Sequence, residues 1–240
     1  MDPITFVTKY SFITNKLKYC GPDDSYIKFL EYIKNPNEKL ASEIRNYMKR
    51  FEGLYPYLDL ISKKTNLDFL SEKVVEAYWI GSDLLDDFDE NDLKEMITAL
   101  SKRGLPKSYA KKLCDGVPKG MVPHHSFNVI YVGVGKVTGS VEFNIDNINN
   151  CLIRWGKVKK INENKVTLSH QPYIFENKKM ILSNEKEDEF EYLPEFIDEL
   201  KIGDNVSHHW NVVVDKLTDS QKKNLIKYTN KNVEVLNNGL

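Results

Sequence analysis

The strongest constraint in this sequence is a change of hydrophobic period near its middle. From residue 2 to about residue 113, apolar side chains recur at helical spacing between turn signals, as in Tyr26, Phe29, Leu30 and Ile33, then Leu40, Ile44, Met48 and Phe51. After Gly116 the pattern changes to short β-branched and aromatic runs separated by Gly, Asn and Pro. Strands are expected over 127–134, 136–143, 151–161, 165–170 and 206–214. A length of 240 residues accommodates one large or two small domains. The reading is an α+β chain, with an all-helical domain over 1–120 and a small β-barrel with a terminal helix over 121–240.

Local signals place the boundaries. Asp2-Pro3 reads as a cap with proline at the first helical position, and Cys20-Gly21-Pro22-Asp23-Asp24 as a stop followed by a new cap. Asn35-Pro36-Asn37, Gly53 and Pro56 punctuate again. The segment 71–85, with Val74, Val75, Ala77, Tyr78, Trp79 and Ile80, is apolar nearly all round and is expected at the centre of the bundle. Thr218-Asp219-Ser220-Gln221 is a capping-box pattern opening a helix through Tyr228. The charged stretch 185–189 reads as a solvated loop.

Composition removes several function classes. With 34 basic against 35 acidic residues the chain carries a net charge of -1, which argues against a nucleic-acid binder working through a basic face. No apolar run approaches the ~18 residues of a membrane span, and Met1-Asp2-Pro3-Ile4-Thr5 lacks a signal-peptide pattern, so no membrane role and a cytoplasmic location are expected. Cys20, Cys114 and Cys151 are odd in number and widely spaced, which fits reduced thiols.

Candidate chemistry centres on histidine and cysteine. Four of the five histidines form two adjacent pairs, His124-His125 at the helix-to-strand junction and His208-His209 inside an expected strand. Neighbours on a strand point to opposite faces, so one of His208 and His209 can face a pocket while the other is expected in solvent. Imidazole is the commonest ligand for transition metals, although polar turns or edge strands explain each pair equally well. Cys151 opens the expected strand beside Asn150, where a thiolate would be accessible, but free cysteines more often fill cores. Cys20 and Cys114 are weaker candidates. The stretch 133–139, rich in glycine, lacks the strand-to-helix context of a phosphate loop and reads as a hairpin with glycine turns. The acidic run 83–92 lacks calcium-loop spacing and reads as a solvated loop with a helix cap.

Two stretches carry a family resemblance. Cys151-Leu152-Ile153-Arg154-Trp155-Gly156-Lys157-Val158 resembles the opening Cys-Leu-x-x-x-Gly-Lys-Val of the HypC/HupF hydrogenase-maturation chaperones. Gly203-Asp204-Asn205-Val206-Ser207-His208-His209 resembles their Val-Gly-Asp-Tyr-Val-x-x-His strand, in the same order along the chain. The resemblance implies a small HypC-like (OB-like) barrel and an iron fragment held by a cysteine and a histidine, positions that fall here on Cys151 and His209. It implies a metalloenzyme precursor or maturation protein as partner. Across most of its length, through Phe51-Glu52-Gly53-Leu54-Tyr55-Pro56-Tyr57, Val74-Val75-Glu76-Ala77-Tyr78-Trp79-Ile80-Gly81 and Pro123-His124-His125-Ser126-Phe127-Asn128-Val129, the chain is similar to an uncharacterised prokaryotic family sometimes associated with hydrogenase genes.

Three functions are expected to compete. The first is an accessory protein binding a metal, with iron the candidate cofactor, through Cys151 and His209, with His124 or His125 as additional ligands. The second is a metal- or thiolate-dependent enzyme whose site lies between helices and barrel, with Glu76 as a buried carboxylate. The third is a metal-free interaction module using exposed aromatics such as Trp210 and Tyr55.

Overall fold

The computed structural model describes residues 2–239. Helix α1 (Pro3–Lys16) is capped by Asp2, whose carboxylate accepts the Thr5 amide at 2.8 Å, with Pro3 in its first turn. Residues 6–15 are all buried, polar ones included, so α1 is the element enclosed on every side. Helices α2 (Ser25–Lys34) and α3 (Glu38–Met48) pack along it. Helix α5 (Glu72–Trp79), expected at the centre, buries Val74, Val75, Ala77, Tyr78 and Trp79 against α1 and α4 (Tyr55–Thr65) but leaves Glu72 and Lys73 exposed. The acidic run supplies the cap of α6 (Glu90–Ser101) through a capping box of Asp89 and Asp92. Helix α7 (Lys107–Gly116) packs on α6.

Helical structure then continues well past the change of period. The segment 127–134, expected as a strand, is helical: α8 (His125–Phe127) runs directly into a π-helical turn, Asn128–Gly133. Phe127, Val129, Ile130 and Val132 are all buried there, because tertiary burial on nearly every side overrides the strand preference of a β-branched run. The glycine hairpin expected over 133–139 and the strand expected over 136–143 are instead the end of that π-helical turn and an irregular loop. Gly135, at φ +74, is required in it, since a Cβ there would lie 2.1 Å from the Val141 carbonyl oxygen. Helix α9 (Ile145–Cys151) follows, so Cys151 ends a helix rather than opening a strand.

Five of the seven strands among the described residues form one closed sheet. Strands β1 (Arg154–Asn162), β2 (Lys165–His170) and β5 (Lys186–Glu191) pair antiparallel in that order, β6 (Asn205–His209) pairs with both β1 and β7 (Val212–Lys216), and β7 reaches β5 through the single pair Glu191↔Val212. The charged stretch expected as a loop is therefore mostly β5. Strands β3 (Tyr173–Glu176) and β4 (Lys179–Leu182) make a separate hairpin. The expected strand 206–214 is broken by a two-residue turn in which Trp210 (φ 47) and Asn211 (φ 60) are both left-handed, the geometry that tight antiparallel hairpins require. Helix α10 (Asp219–Asn238) has the expected capping box but runs past Tyr228 and packs on α8, β1 and β4.

A single hydrophobic core runs through both halves. They are joined by polar contacts as well: Lys9 Nζ lies 3.2 Å from Asp215 Oδ1, both side chains 9% exposed, and the Tyr10 and Ser207 hydroxyls are 2.8 Å apart. Burial raises the Asp215 carboxyl above its ordinary range even with the Lys9 ammonium beside it. Removing one partner of such a pair strands the other charge. Lys9→Met is expected to cost about 3–5 kcal/mol in chemical denaturation, and Lys9→Met with Asp215→Leu distinctly less. Equal losses in the two proteins would show that the pair contributes no mutual charge compensation.

Candidate metal centre

Three side chains from distant parts of the chain converge between the helices and the barrel. His125, Cys151 and His209 each offer one ligand atom, and these atoms all lie within 4.8 Å of one another. His125 begins α8, Cys151 ends α9 and His209 ends β6. Both histidines are buried and Cys151 is half-buried.

The hydrogen bonds assign the imidazole nitrogens. His209 Nδ1 donates to the Tyr10 carbonyl at 3.1 Å, and its Nε2 has no protein partner. A neutral ring in this tautomer carries a lone pair on Nε2, the form that ligates metals. His125 Nε2 donates to the Cys151 carbonyl at 2.8 Å, while its Nδ1 meets the Tyr78 hydroxyl at 2.9 Å. The same hydroxyl donates to the Gly53 carbonyl at 3.1 Å, so one phenol proton faces two acceptors. If Nε2 gives up its proton to become a ligand, Nδ1–H donates to Tyr78 and Tyr78 donates to Gly53, while the Cys151 carbonyl loses its donor and has to turn aside for a metal to reach Nε2. An outer partner that fixes the ligand tautomer in this way is the usual companion of a metal-bound histidine. The Trp79 ring completes the surroundings, 4.6 Å from the His125 ring and 6.0 Å from that of His209.

Protonation follows from burial. Desolvation pushes the Cys151 thiol up to about 12 and pulls His209 down to about 3 and His125 to about 4. At neutral pH the trio is a thiol and two neutral imidazoles. A thiolate–imidazolium pair of the kind cysteine nucleophiles use is therefore not formed by these residues alone.

Cys151 also lines a cavity of about 50 Å³ with Cys20, Gly53, Asn128, Trp210 and the 133–141 loop. Cys20, a weak candidate by sequence, thus shares this space, its thiol 3.7 Å from Glu52 and likewise pushed up to about 12 by burial. Trp210 is buried rather than an exposed contact anchor. Its amide donates to the Asn150 carbonyl at 2.7 Å, its ring lies 4.6 Å from that of Tyr19, and these contacts hold a bulky residue at positive φ. Strain of this type costs about 1–3 kcal/mol and concentrates at functional sites.

Other expected site residues lie elsewhere. His124 accepts the Ser126 amide on Nδ1 as the cap of α8, which leaves the proton on Nε2 and no lone pair for a metal. His208 is buried, not in solvent, and belongs to a different group of residues. Glu76 is partly buried and accepts from Gln221 at 2.9 Å, tying α5 to α10. Tyr55 is half-buried against Phe69 and Arg103. Sequence patterns flagged Tyr78 and Trp79 only as apolar helix positions, and nothing local marks Tyr10.

A family model covers residues 4–240, and the chain belongs to that family, described as a family of unknown function (DUF6390). No curated protein and no solved structure matches the chain. The likeness of two short stretches to the maturation chaperones is not among these findings. Among the described residues, no helix is long and apolar enough to cross a membrane.

The histidines set an acid limit on stability. His124, His125 and His209 fall to about 3, 4 and 3, and His170 and His208 are also lowered, all chiefly by burial. Near pH 6.5 an unfolded chain begins to take up protons that the folded chain refuses. Stability is full above that pH and falls as pH drops from 6.5 toward 4, each refused proton contributing about 1.4 kcal/mol per pH unit. Denaturation midpoints measured from pH 7.5 to 4.5 are expected to fall steeply below 6.5, whereas a flat profile would mean that these imidazoles are protonated in the fold.

Proposed function

We propose that this protein holds one transition-metal ion on His125, Cys151 and His209, and serves as a metal carrier or accessory protein. The observation that carries the reading is the convergence of these three donors in a buried place, with His209 Nε2 left without a protein partner. Two imidazoles and a thiolate suit zinc, iron or cobalt rather than calcium or magnesium. Three protein ligands leave a coordination position free for an exogenous ligand. The adjoining cavity of about 50 Å³ admits a water-sized group but no organic substrate, which favours holding a metal over turning over a metabolite.

Iron is the first metal to test, and a metalloenzyme precursor the first partner. Both rest on the chaperone-like stretches that begin at Cys151 and end at His209. An internal cysteine at the end of a helix departs from that pattern, because no free terminal amine stands beside it.

Anaerobically purified protein, loaded in turn with Fe(II), Zn(II) and Co(II), is expected to bind about one equivalent, and Co(II) to develop a thiolate charge-transfer band. Cys151→Ala and His209→Ala should lose both the metal and the band, and Tyr78→Phe should bind about 10- to 100-fold more weakly. Full metal content in both ligand variants would overturn the assignment. Infrared bands of metal-bound carbon monoxide or cyanide would extend the reading to hydrogenase maturation.

Because the imidazoles are already neutral, the thiol holds the only proton that must leave. Calorimetry in buffers of different ionisation enthalpy should therefore report about one proton released per metal between pH 6.5 and 8. Release of none would exclude the thiolate as a ligand.

A further inference from the structure

The other histidine of the β6 pair faces a second group of buried polar side chains. Arg154 and His208 are cross-strand partners on β1 and β6, and His170 is the partner of Gly156, two residues along β1. Period-two alternation puts all three on one face. The His208 ring accordingly lies 5.4 Å from that of His170 and 4.5 Å from that of Phe190. Arg154 is 6% exposed, His170 4% and His208 2%.

Their polar atoms are not satisfied within the protein. Arg154 Nε and Nη1, His208 Nε2 and His170 Nδ1 are buried without a hydrogen-bond partner. Asp188, the carboxylate nearest in the hydrogen-bond network, is engaged by His170 Nε2 at 2.8 Å and Lys186 at 2.7 Å, and no ion pair among the described residues includes Arg154. Burial pulls the guanidinium down to about 10. An unpaired buried cation is among the most costly features a fold can keep, and the cost is offset when a ligand brings the opposite charge.

Room for such a ligand is present. Arg154 and His170 line a cavity of about 630 Å³ that also meets Asn150 and Asn211. It runs along β5, whose residues 186–190 have no strand on that edge because β7 joins only at Glu191. Of the acids lining it, Asp188 and Glu189 are paired with Lys186 and Lys165, while Asp146 and Glu191 are exposed and screened by solvent.

We propose that this end of the barrel binds a small-molecule oxyanion, its carboxylate or phosphate group seated on the Arg154 guanidinium where it lines this cavity. The guanidinium fork matches the two oxygens of either group. Asn150 and Asn211, which line the same cavity, meet the polar remainder of the molecule. The site is separate from the metal centre, since neighbouring residues of β6 point His208 and His209 to opposite faces of the sheet.

Thermal melting and calorimetry with inorganic phosphate and with succinate, against chloride at matched ionic strength, test this directly. Wild-type protein is expected to bind at least one of them saturably, at about one equivalent, with a matching rise in Tm. Phosphate preference identifies a phosphorylated ligand and succinate preference a carboxylate. Arg154→Met should weaken binding by at least about tenfold, yet melt at the same or a higher temperature in anion-free buffer, because it removes an unpaired buried charge. Arg154→Lys, which keeps the charge but loses the fork, should also bind about tenfold more weakly with a near-wild-type Tm. Absence of saturable binding by either anion, or wild-type affinity in Arg154→Met, would overturn the proposal.

Discussion

Helix α1 meets the β6–β7 hairpin where water is largely excluded, through Lys9 to Asp215, the Tyr10 hydroxyl to Ser207, and the Tyr10 carbonyl to His209 Nδ1. Apolar packing between these elements is strong but tolerates sliding, whereas three directional contacts in a low-dielectric setting tolerate little. They fix the rotation of the hairpin against the helical half. Everything built on the hairpin follows from that rotation: the orientation of His209, the left-handed turn at Trp210 and Asn211, and the distance from His209 to His125 and Cys151.

The alternation of side chains along β6 then separates two kinds of chemistry. His209 looks toward the helices, where a thiol and a second imidazole wait in a site lined with aromatic rings. His208 looks toward Arg154 and His170. An irregularity in the β6–β7 register between Ser207 and His208 lies at this division, as bulges often do where a side chain must be re-aimed. Both sites keep buried polar atoms without protein partners, His209 Nε2 in one and Arg154 Nε and Nη1, His170 Nδ1 and His208 Nε2 in the other. Such exceptions cost stability and are expected where a ligand completes the set.

Much of the helical half was legible along the chain. Proline and glycine punctuation, the Asp2 cap and the capping box at Thr218 act within one turn, so local sequence contains the whole interaction, whereas the cap expected before α2 is not made, Asp24 being left-handed with no side-chain bond to the helix. Residues 127–134 misled for the opposite reason. A β-branched run bounded by glycines satisfies a strand pattern, yet its environment is apolar on nearly every side, and periodicity cannot separate a buried helix from a buried strand. The charged stretch before Phe190 was misread because β5 exposes Glu187, Glu189 and Glu191 on one face, with Glu189 meeting Lys165 there, and turns Asp188 and Phe190 of the other toward His170.

The candidate site divides along the same line. Sequence alone determined that histidine pairs flank a cysteine-bearing segment, that the members of the β6 pair face opposite ways, and that the thiols are not committed to a disulfide framework, since these follow from residue type, number and strand period. The pairing of His209 with Cys151 came only from the likeness of two short stretches to the maturation chaperones, not from residue type or spacing. Only the tertiary structure decided that His125 rather than His124 joins them, because both stand at the same junction and a hydrogen bond from the Ser126 amide takes the lone pair of one and not the other. Burial, which sets the protonation of every group involved, is a property of what surrounds a residue, and no local pattern carries it. The same is true of Arg154, an unremarkable strand arginine in sequence, whose isolation among buried groups exists only once the sheet closes around it.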